Sequence, residues 1–357
     1  PPVDAAGRRP STSMTAGAAR RPPHPTIGLV TISDLEVALG YGGVRCRPTI
    51  VERTSPRTRK NVDIAVLIGG VLPRKATTMK VEQVTDPLAY HGEGPVWSAA
   101  WGGLRWLDML AGDVLSLSSD GTVARRHIDT VVAAVRPRRE GGAVIGVERG
   151  FALEDTDGKV TLLEPLWSDD RVRMNEGGCD PDGRFYCGSM AYDLRPGAGA
   201  VHRLDPDGST TTVLDDVTVS NGLEWSPDGS RAYYVDTATD RIDVFDYDPA
   251  GGLSGRRRFA DVPGDPDGLT VDEEGGVWVA LYGGGSVRRY TPEGDLDEVV
   301  ELPVTKVTAC TFGGPALDRL FITTSREHLD PGDEPQAGAL FTCTPGVRGM
   351  AAREFAG

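Results

Sequence analysis

Three side chains with oxygen donors could together hold a metal ion: Glu93, Asn221 and Asp267. Each lies next to a glycine in a short segment, namely Gly92-Glu-Gly-Pro95, Ser220-Asn-Gly-Leu-Glu-Trp225 and Asp265-Pro-Asp-Gly268. Two carboxylates and one amide form an all-oxygen donor set, which hard divalent cations prefer. Asparagine occurs only three times in 357 residues, so a retained Asn-Gly indicates a need for the amide oxygen or for a left-handed backbone. The sequence therefore predicts a site for one divalent cation.

Each of these residues also has a purely structural interpretation. Asn221 followed by glycine suits a tight hairpin turn, because both residues tolerate positive φ. A glutamate such as Glu93, before Gly-Pro, is usually a solvated side chain. Asp267 could belong to a turn of the kind expected at Asp182 and Asp207, although it leads directly into the apolar segment Leu-Thr-Val. Taken singly, the residues leave both interpretations open.

Their spacing favours the functional interpretation. Glu93, Asn175, Asn221 and Asp267 are separated by 82, 46 and 46 residues. In a chain built from units of about 45 residues, positions one or two units apart are equivalent around a common axis. In a propeller the loops of successive blades converge on one mouth of the central channel. The four side chains are therefore expected to meet there.

The elements that must position these side chains are short strands separated by turns. Glycine-containing turn signals recur at Ser119-Asp-Gly121, Thr156-Asp-Gly158, Asp180-Pro-Asp-Gly183, Asp205-Pro-Asp-Gly208, Ser226-Pro-Asp-Gly229, Glu273-Glu-Gly275 and Pro292-Glu-Gly294. Between them lie β-type segments such as 143–147, 231–235 and 277–282, and no amphipathic helix of three turns is evident. Two hairpins per unit of about 45 residues predict an all-β, six-bladed β-propeller with its metal site at the mouth of the central channel.

Composition divides the chain at Met79. Residues 1–78 contain 12 Lys and Arg but five Asp and Glu, and all six Trp and all eight Phe lie after residue 78. A segment so poor in aromatic residues and rich in clustered Pro and Arg cannot bury a core in proportion to its length. We therefore expect residues 1–78 to be a disordered extension or mis-called upstream sequence, and residues 79–357 to form the catalytic propeller. A small N-terminal domain is the alternative.

The residues after 78 exclude several classes of protein. Their 26 basic and 47 acidic residues argue against nucleic acid or an anionic membrane surface as partners. No apolar run reaches the roughly 18 residues of a membrane helix, and four scattered cysteines without CxxC predict buried thiols in the cytoplasm. A G-x-S-x-G elbow, a P-loop and a dinucleotide fingerprint are also missing. His91, close to Glu93, is interpreted as a structural or supporting group.

Five ordered motifs connect the chain to a known family. They are His91-Gly-Glu-Gly-Pro-Val-Trp97, Arg173-Met-Asn-Glu-Gly177 with Gly188-Ser-Met190, Ser220-Asn-Gly-Leu-Glu-Trp225, Asp265-Pro-Asp-Gly268 and Thr311-Phe-Gly-Gly314. Together with Ala337-Gly-Ala-Leu-Phe341 they resemble the regucalcin and gluconolactonase family, also called the senescence marker protein family. The resemblance runs from about Met79 to Gly349 and has no counterpart in residues 1–78.

The resemblance implies a six-bladed propeller that hydrolyses a sugar lactone with one divalent cation, Ca²⁺, Zn²⁺ or Mn²⁺. Glu93, Asn221 and Asp267 would ligate the metal, with Asp267 doubling as general base. Arg173 and Asn175 would bind substrate, together with Glu176, where many relatives have Asp. The expected partner is the lactone alone, and the expected state is a monomer or weak homo-oligomer. Open alternatives are a phosphotriesterase-type or other esterase, and a non-catalytic calcium-binding propeller.

Overall fold

The computed structural model describes residues 79–330 and 332–357. The prediction for residues 1–78 lies outside the described residues. Within these ranges the chain folds into 24 β-strands and two 3-10 helices, Met109–Ala111 and Thr237–Thr239. The strands form six sheets of four strands each, so the predicted all-β, six-bladed propeller is confirmed.

The first three blades are continuous in sequence. Blade 1 contains β2 (Gly92–Ser98), β3 (Gly103–Asp108), β4 (Asp113–Leu117) and β5 (Val123–His127). Blade 2 contains β6 (Val132–Pro137), β7 (Ala143–Val147), β8 (Gly150–Glu154) and β9 (Val160–Leu162). Blade 3 contains β10 (Val172–Cys179), β11 (Phe185–Ala191), β12 (Gly199–Leu204) and β13 (Thr210–Val217).

The last three blades complete the ring. Blade 4 contains β14 (Ser220–Trp225), β15 (Arg231–Asp236), β16 (Arg241–Asp248) and β17 (Gly252–Asp261). Blade 5 contains β18 (Asp265–Val271), β19 (Val277–Tyr282), β20 (Ser286–Tyr290) and β21 (Leu296–Glu301). Blade 6 contains β22 (Val307–Gly313), β23 (Arg319–Thr324), β24 (Phe341–Cys343) and β1 (Glu82–Gln83).

Blade 6 closes the ring with strands from both parts of the described chain. Its strand order is β22-β23-β24-β1, so the early strand β1 pairs antiparallel with β24 at the outer edge. The first strand of each blade is innermost, and these strands, which begin at residues 92, 132, 172, 220, 265 and 307, contact one another in sequence around the axis. The intervals agree with the predicted unit of about 45 residues.

The two ends of the propeller carry different connections. Because the strands of a blade are antiparallel, the turns after its first and third strands lie at one end, which we call the turn end. The turns 180–183, 205–208 and 226–229 lie there. The opposite end, which we call the mouth, receives the starts of the inner strands and the loops between second and third strands.

Large apolar side chains fill the interfaces between neighbouring blades. Trp106, Trp225 and Trp278 are fully buried, and burial of a large apolar side chain contributes about 1.5–3 kcal/mol to stability. All four cysteines after residue 78 are free and buried, as predicted. Among the described residues no helix has the length and apolarity needed to cross a membrane.

A feature that the sequence did not reveal is the path of the C-terminal segment, residues 349–357, across the turn end. Gly349 forms a β-bridge with Asp272 of blade 5, and Phe355 forms one with Arg138 of blade 2. Phe355 is buried in the apolar cluster between blades 2 and 3. The segment therefore spans several blades at the end opposite the mouth.

Candidate active site at the channel mouth

Each of the six inner strands contains one irregularity in its pairing with the second strand of the blade. The register shifts lie at Glu93/Val96, Val132/Ala134, Met174/Gly177, Ser220/Leu223, Pro266/Leu269 and Val307/Ala309. Such β-bulges leave residues unpaired, bend the strand and re-aim side chains. The bulges lie near the mouth, where each inner strand begins, so they can turn side chains toward the channel axis.

The predicted residues occupy these bulges. Asn175, Asn221 and Asp267 are each the first unpaired residue of a bulge, and Glu93 directly precedes the unpaired pair of its own strand. All four are at most 5% exposed. The blade spacing therefore brought equivalent positions together. Asp267 lies inside strand β18 and not in a turn, which removes its structural alternative.

Hydrogen bonds link the polar side chains of blades 3, 4 and 5. Arg173 donates from Nη1 to Oδ1 of Asn175 at 2.6 Å, and Asn175 donates from Nδ2 to Oδ1 of Asn221 at 2.9 Å. Asn221 donates from Nδ2 to Oγ1 of Thr237 at 2.7 Å, and Thr237 donates to the carbonyl oxygen of Pro266 at 2.7 Å. The chain of bonds ends one residue before Asp267.

The two buried carboxylates are in an unfavourable environment for negative charge. Burial raises the pKa of Asp267 well above its usual value, and the charges of Glu93 and Glu176 add to this, whereas Arg173 opposes it. Burial also raises the pKa of Glu93, and Glu176 adds to it. Among the described residues, the Glu93 carboxylate accepts one hydrogen bond, from the Gly94 amide at 3.1 Å, and the Asp267 carboxylate accepts none.

This environment fits a bound divalent cation. Glu93, Asp267 and the amide oxygen of Asn221 form the hard oxygen set that Ca²⁺ prefers, and a dication would compensate both buried charges. Within residues 79–330 and 332–357, no group of three or more His, Cys, Asp or Glu side chains is arranged to hold a metal. The predicted set contains only two such side chains because its third member is an amide.

His91 links the site to blade 6. Its Nδ1 lies 2.8 Å from Oγ of Ser325, and its Nε2 lies 3.7 Å from Oε1 of Glu93. Burial lowers the pKa of His91 to about 3, with help from the charges of Arg173 and Lys306, so the imidazole is neutral near pH 7. Its position supports the interpretation of His91 as a supporting group.

Arg173 forms the blade 3 side of the mouth. Its guanidinium is buried, its Nε has no hydrogen-bond partner among the described residues, and its Cζ lies 5.6 Å from the ring centre of Tyr192. Tyr192 is 46% exposed and donates its hydroxyl to Glu148 at 2.8 Å. The structure thus places a half-exposed aromatic ring beside the predicted substrate-binding arginine. Neither Tyr192 nor Thr237 was identified from sequence, because neither lies in a motif.

Glu176 faces a different environment from Arg173 and Asn175. It lines an internal cavity of about 40 Å³ together with Arg136, Glu224 and Arg353, the last from the C-terminal segment. Burial raises the pKa of Glu176 to about 7, with Arg136 opposing and Glu224 adding to the shift. Within the part of the chain that the structure describes, Oε2 of Glu176 has no hydrogen-bond partner. The predicted contact between Glu176 and substrate stays a prediction.

Comparison with known proteins identifies the family. Residues 91–326 match the family model for the SMP-30/Gluconolactonase/LRE-like region. Regucalcin of Xenopus laevis is 35% identical over 298 residues, which cover 79% of this chain and all of the relative. The family resemblance predicted from the motifs is confirmed.

Solved structures show the same fold. The crystal structure of a calcium-binding regucalcin from Agrobacterium tumefaciens has a TM-score of 0.74 and 29% identity, covering 78% of this chain and 97% of that one. A gluconolactonase from Xanthomonas campestris has a TM-score of 0.63 and 27% identity, covering 75% and 90%. This chain belongs to the SMP-30/gluconolactonase/LRE-like family.

Proposed function

We propose that this chain hydrolyses a sugar lactone to its aldonic acid, with one divalent cation bound by Glu93, Asn221 and Asp267 at the channel mouth. The proposal is supported chiefly by two buried carboxylates, Glu93 and Asp267, of which the first acts electrostatically on the second. The buried amide of Asn221 is linked through Thr237 to Pro266, the residue before Asp267. Neither carboxylate has a charge-neutralising hydrogen bond from a basic side chain of the described residues. A bound Ca²⁺, Zn²⁺ or Mn²⁺ would supply Lewis-acid polarisation of the lactone carbonyl.

Asp267 is proposed as the general base. Its carboxylate is free of hydrogen-bond donors from the described residues, so its lone pairs are available to a water molecule at the mouth. As the oxygen of the attacking water bonds to the lactone carbonyl carbon, Asp267 would take the water proton, and it would pass this proton to the ring oxygen as the bond between that oxygen and the carbonyl carbon breaks.

Arg173 and Asn175 are proposed to bind the lactone oxygens. The Nε–H of Arg173 is buried without an acceptor in residues 79–330 and 332–357, and an unsatisfied buried donor costs about 1–3 kcal/mol. A substrate oxygen that accepted this bond would remove the cost and be stabilised as negative charge developed on it. Tyr192, which faces the same guanidinium, offers an aromatic surface to one face of the sugar ring.

Membership of this family also supports an alternative function without catalysis. The Agrobacterium regucalcin is described as a calcium-binding protein, so a propeller that binds calcium without catalysis is the competing function. A related esterase or phosphotriesterase activity would use the same ligands and base. The proposed partner is a small lactone, with no nucleic acid or membrane involved, and the proposed setting is a cytoplasmic monomer or weak homo-oligomer.

The test is lactone hydrolysis by the full chain after chelation and dialysis. Acid release from glucono-, galactono-, arabino- and xylonolactone would be followed with Ca²⁺, Zn²⁺ or Mn²⁺ added separately, and thermal unfolding would verify that the stripped protein stays folded. We expect turnover that depends on the added cation. Cation binding without turnover of any lactone would favour the calcium-binding alternative, and assays with aryl esters and phosphotriesters would then separate the esterase alternatives.

A further inference from the structure

The hydrogen bonds around Asn221 have a fixed direction. Thr237 donates to the carbonyl oxygen of Pro266 at 2.7 Å. A backbone carbonyl can only accept, and a hydroxyl has one proton to donate. The hydroxyl proton of Thr237 is therefore used in the bond to Pro266. Asn221 lies 2.7 Å from the same hydroxyl, which can act only as an acceptor toward it.

This commitment determines how the Asn221 amide is turned. The atom that faces Thr237 must be the donor Nδ2, because the hydroxyl there can only accept. The amide oxygen Oδ1 then faces the opposite side, where it accepts a hydrogen bond from Asn175 at 2.9 Å. A carbonyl-type oxygen has two lone pairs, so Oδ1 of Asn221 keeps one for a further partner.

The other end of the chain of bonds imposes the same direction. The guanidinium of Arg173 can only donate, and it donates to Oδ1 of Asn175. Nδ2 of Asn175 then donates both to the carbonyl oxygen of Ser220, at 2.7 Å, and to Asn221. An obligate donor at one end and an obligate acceptor at the other leave only one consistent orientation for both amides.

We propose that Thr237 is a positioning residue that keeps the amide oxygen of Asn221 turned toward the metal position. The inference rests on the proposed function, because it takes Asn221 as a ligand through its oxygen. Without the hydroxyl, Nδ2 of Asn221 would lose its acceptor, and the bond from Asn175 alone would oppose a rotation of the amide that placed a donor group toward the cation. Partners that orient a ligand in this way typically change metal affinity about 10–100-fold when they are removed.

Thr237 has a close internal control. Thr239 lies in the same 3-10 helix, Thr237–Thr239, and its hydroxyl donates to the carbonyl oxygen of Asp236 at 2.7 Å. Thr239 thus makes a hydrogen bond of similar length without contacting Asn221. A loss of helix stability would appear in both variants, whereas a loss of amide orientation would appear only in the Thr237 variant.

The first experiment measures Ca²⁺ binding by calorimetry to the full chain and to Thr237→Val, Thr237→Ser and Thr239→Val, with Zn²⁺ and Mn²⁺ in parallel. We expect the Kd of Thr237→Val to rise about 10–100-fold, that of Thr237→Ser to stay near the original, and that of Thr239→Val to be unchanged. Equal affinity of the unmodified chain and Thr237→Val would overturn the inference. A chain that bound no cation would instead refute the proposed metal site, and the ligand role of Asn221 with it.

A second measurement reports on the amide itself. The chain contains three asparagines, so selective ¹⁵N-asparagine labelling gives three side-chain amide pairs in an NMR spectrum. The Asn221 pair should shift in Thr237→Val but not in Thr239→Val, and the same pair should shift when Ca²⁺ is added to the unmodified chain. Unchanged chemical shifts of the Asn221 side-chain amide in Thr237→Val would contradict the inference, whether or not the addition of metal shifts these signals.

Discussion

The same tetrapeptide, Asp-Pro-Asp-Gly, performs different tasks at the two ends of this propeller. At 205–208 it forms a turn between β12 and β13 at the turn end, closed by a hydrogen bond from Gly208 to Asp205. At 265–268 it begins inner strand β18 at the mouth and contains its β-bulge. Local sequence is identical, so the position within the blade decides the conformation.

The aspartates in these two segments have opposite electrostatics. The side-chain and backbone donors of Ser209 lower the pKa of Asp207, which is fully exposed. Burial and neighbouring carboxylates raise the pKa of Asp267. The turn supplies its aspartate with donors and contact with solvent, whereas Asp267 is 5% exposed and accepts no hydrogen bond from the described residues. A carboxylate left in this state at a concave surface is typical of a ligand or a base.

The glycines that end the two segments, Gly208 and Gly268, are also needed for different reasons. Gly208 has φ of +85° and open space where a Cβ would lie, so it is needed for its left-handed backbone. Gly268 does not have positive φ, and a Cβ there would lie 2.5 Å from Cβ of Ala309 on the neighbouring inner strand. At the mouth, glycine allows two blades to approach closely enough for their side chains to share a site.

The largest difference in lactone turnover is expected between the variants Asp267→Asn and Asp207→Asn. Loss of a general base lowers turnover about 10²–10⁴-fold, and Asp267→Asn also removes a proposed ligand, so kcat/KM for the preferred lactone should fall at least about 10³-fold. Asp207→Asn should keep full activity. Steady-state kinetics on both variants checks the comparison. Near-normal kcat in Asp267→Asn would mean that the two aspartates differ only in their surroundings.

A smaller difference, in stability and in lactone turnover, is expected between the variants Gly268→Ala and Gly208→Ala. Overpacking against the backbone of β22 should destabilise Gly268→Ala by about 3 kcal/mol and separate blades 5 and 6 at the mouth. Positive φ alone should cost Gly208→Ala about 1 kcal/mol without any loss of activity. Thermal unfolding and lactone turnover on both variants test this. Similar melting and similar activity would contradict the close-approach argument for Gly268.

Much of the fold and part of the site could be predicted because their signals are local. Turn residues such as those at 226–229 fix the hairpins, and the regular intervals between them give the number of blades. The interval of 46 residues from Asn175 to Asn221 and again to Asp267 predicts equivalent positions for three side chains. The roles that the family motifs imply for these side chains stay predictions.

The remaining features depend on packing between distant parts of the chain. Thr237 lies in a loop with no motif, and its importance follows only from its bonds to Asn221 and Pro266. The C-terminal segment carries no strand pattern, yet Phe355 packs between blades 2 and 3. The direction in which Glu176 faces, toward Arg136 and Glu224, depends on the bulge in β10. No pattern of residue types encodes these contacts.

The smallest expected effect concerns pH and compares Glu176→Gln in the channel with Asp228→Asn at the turn end. Burial raises the pKa of Glu176 to about 7, so between its ordinary value of 4.5 and about 7 the folded state binds more protons than the unfolded state. The stability contributed by Glu176 therefore decreases as pH rises through this window, and the decrease is complete above it. Glu176→Gln should therefore be more stable than the unmodified chain at pH 8 and should gain nothing near pH 4.

Asp228 should show no such window between pH 5 and 8. Donation from Ser226 and Ser230 lowers its pKa to about 2, so any stability that it contributes is present above its ordinary value of 3.8 and is lost only below it. Melting temperatures of the metal-free chain and both variants, measured from pH 5 to 8, separate the two cases. A parallel pH dependence for the unmodified chain and Glu176→Gln would show that the pKa of Glu176 is not raised in the folded chain, and the electrostatic contrast between the channel and the turn end would then rest on Glu93 and Asp267 alone.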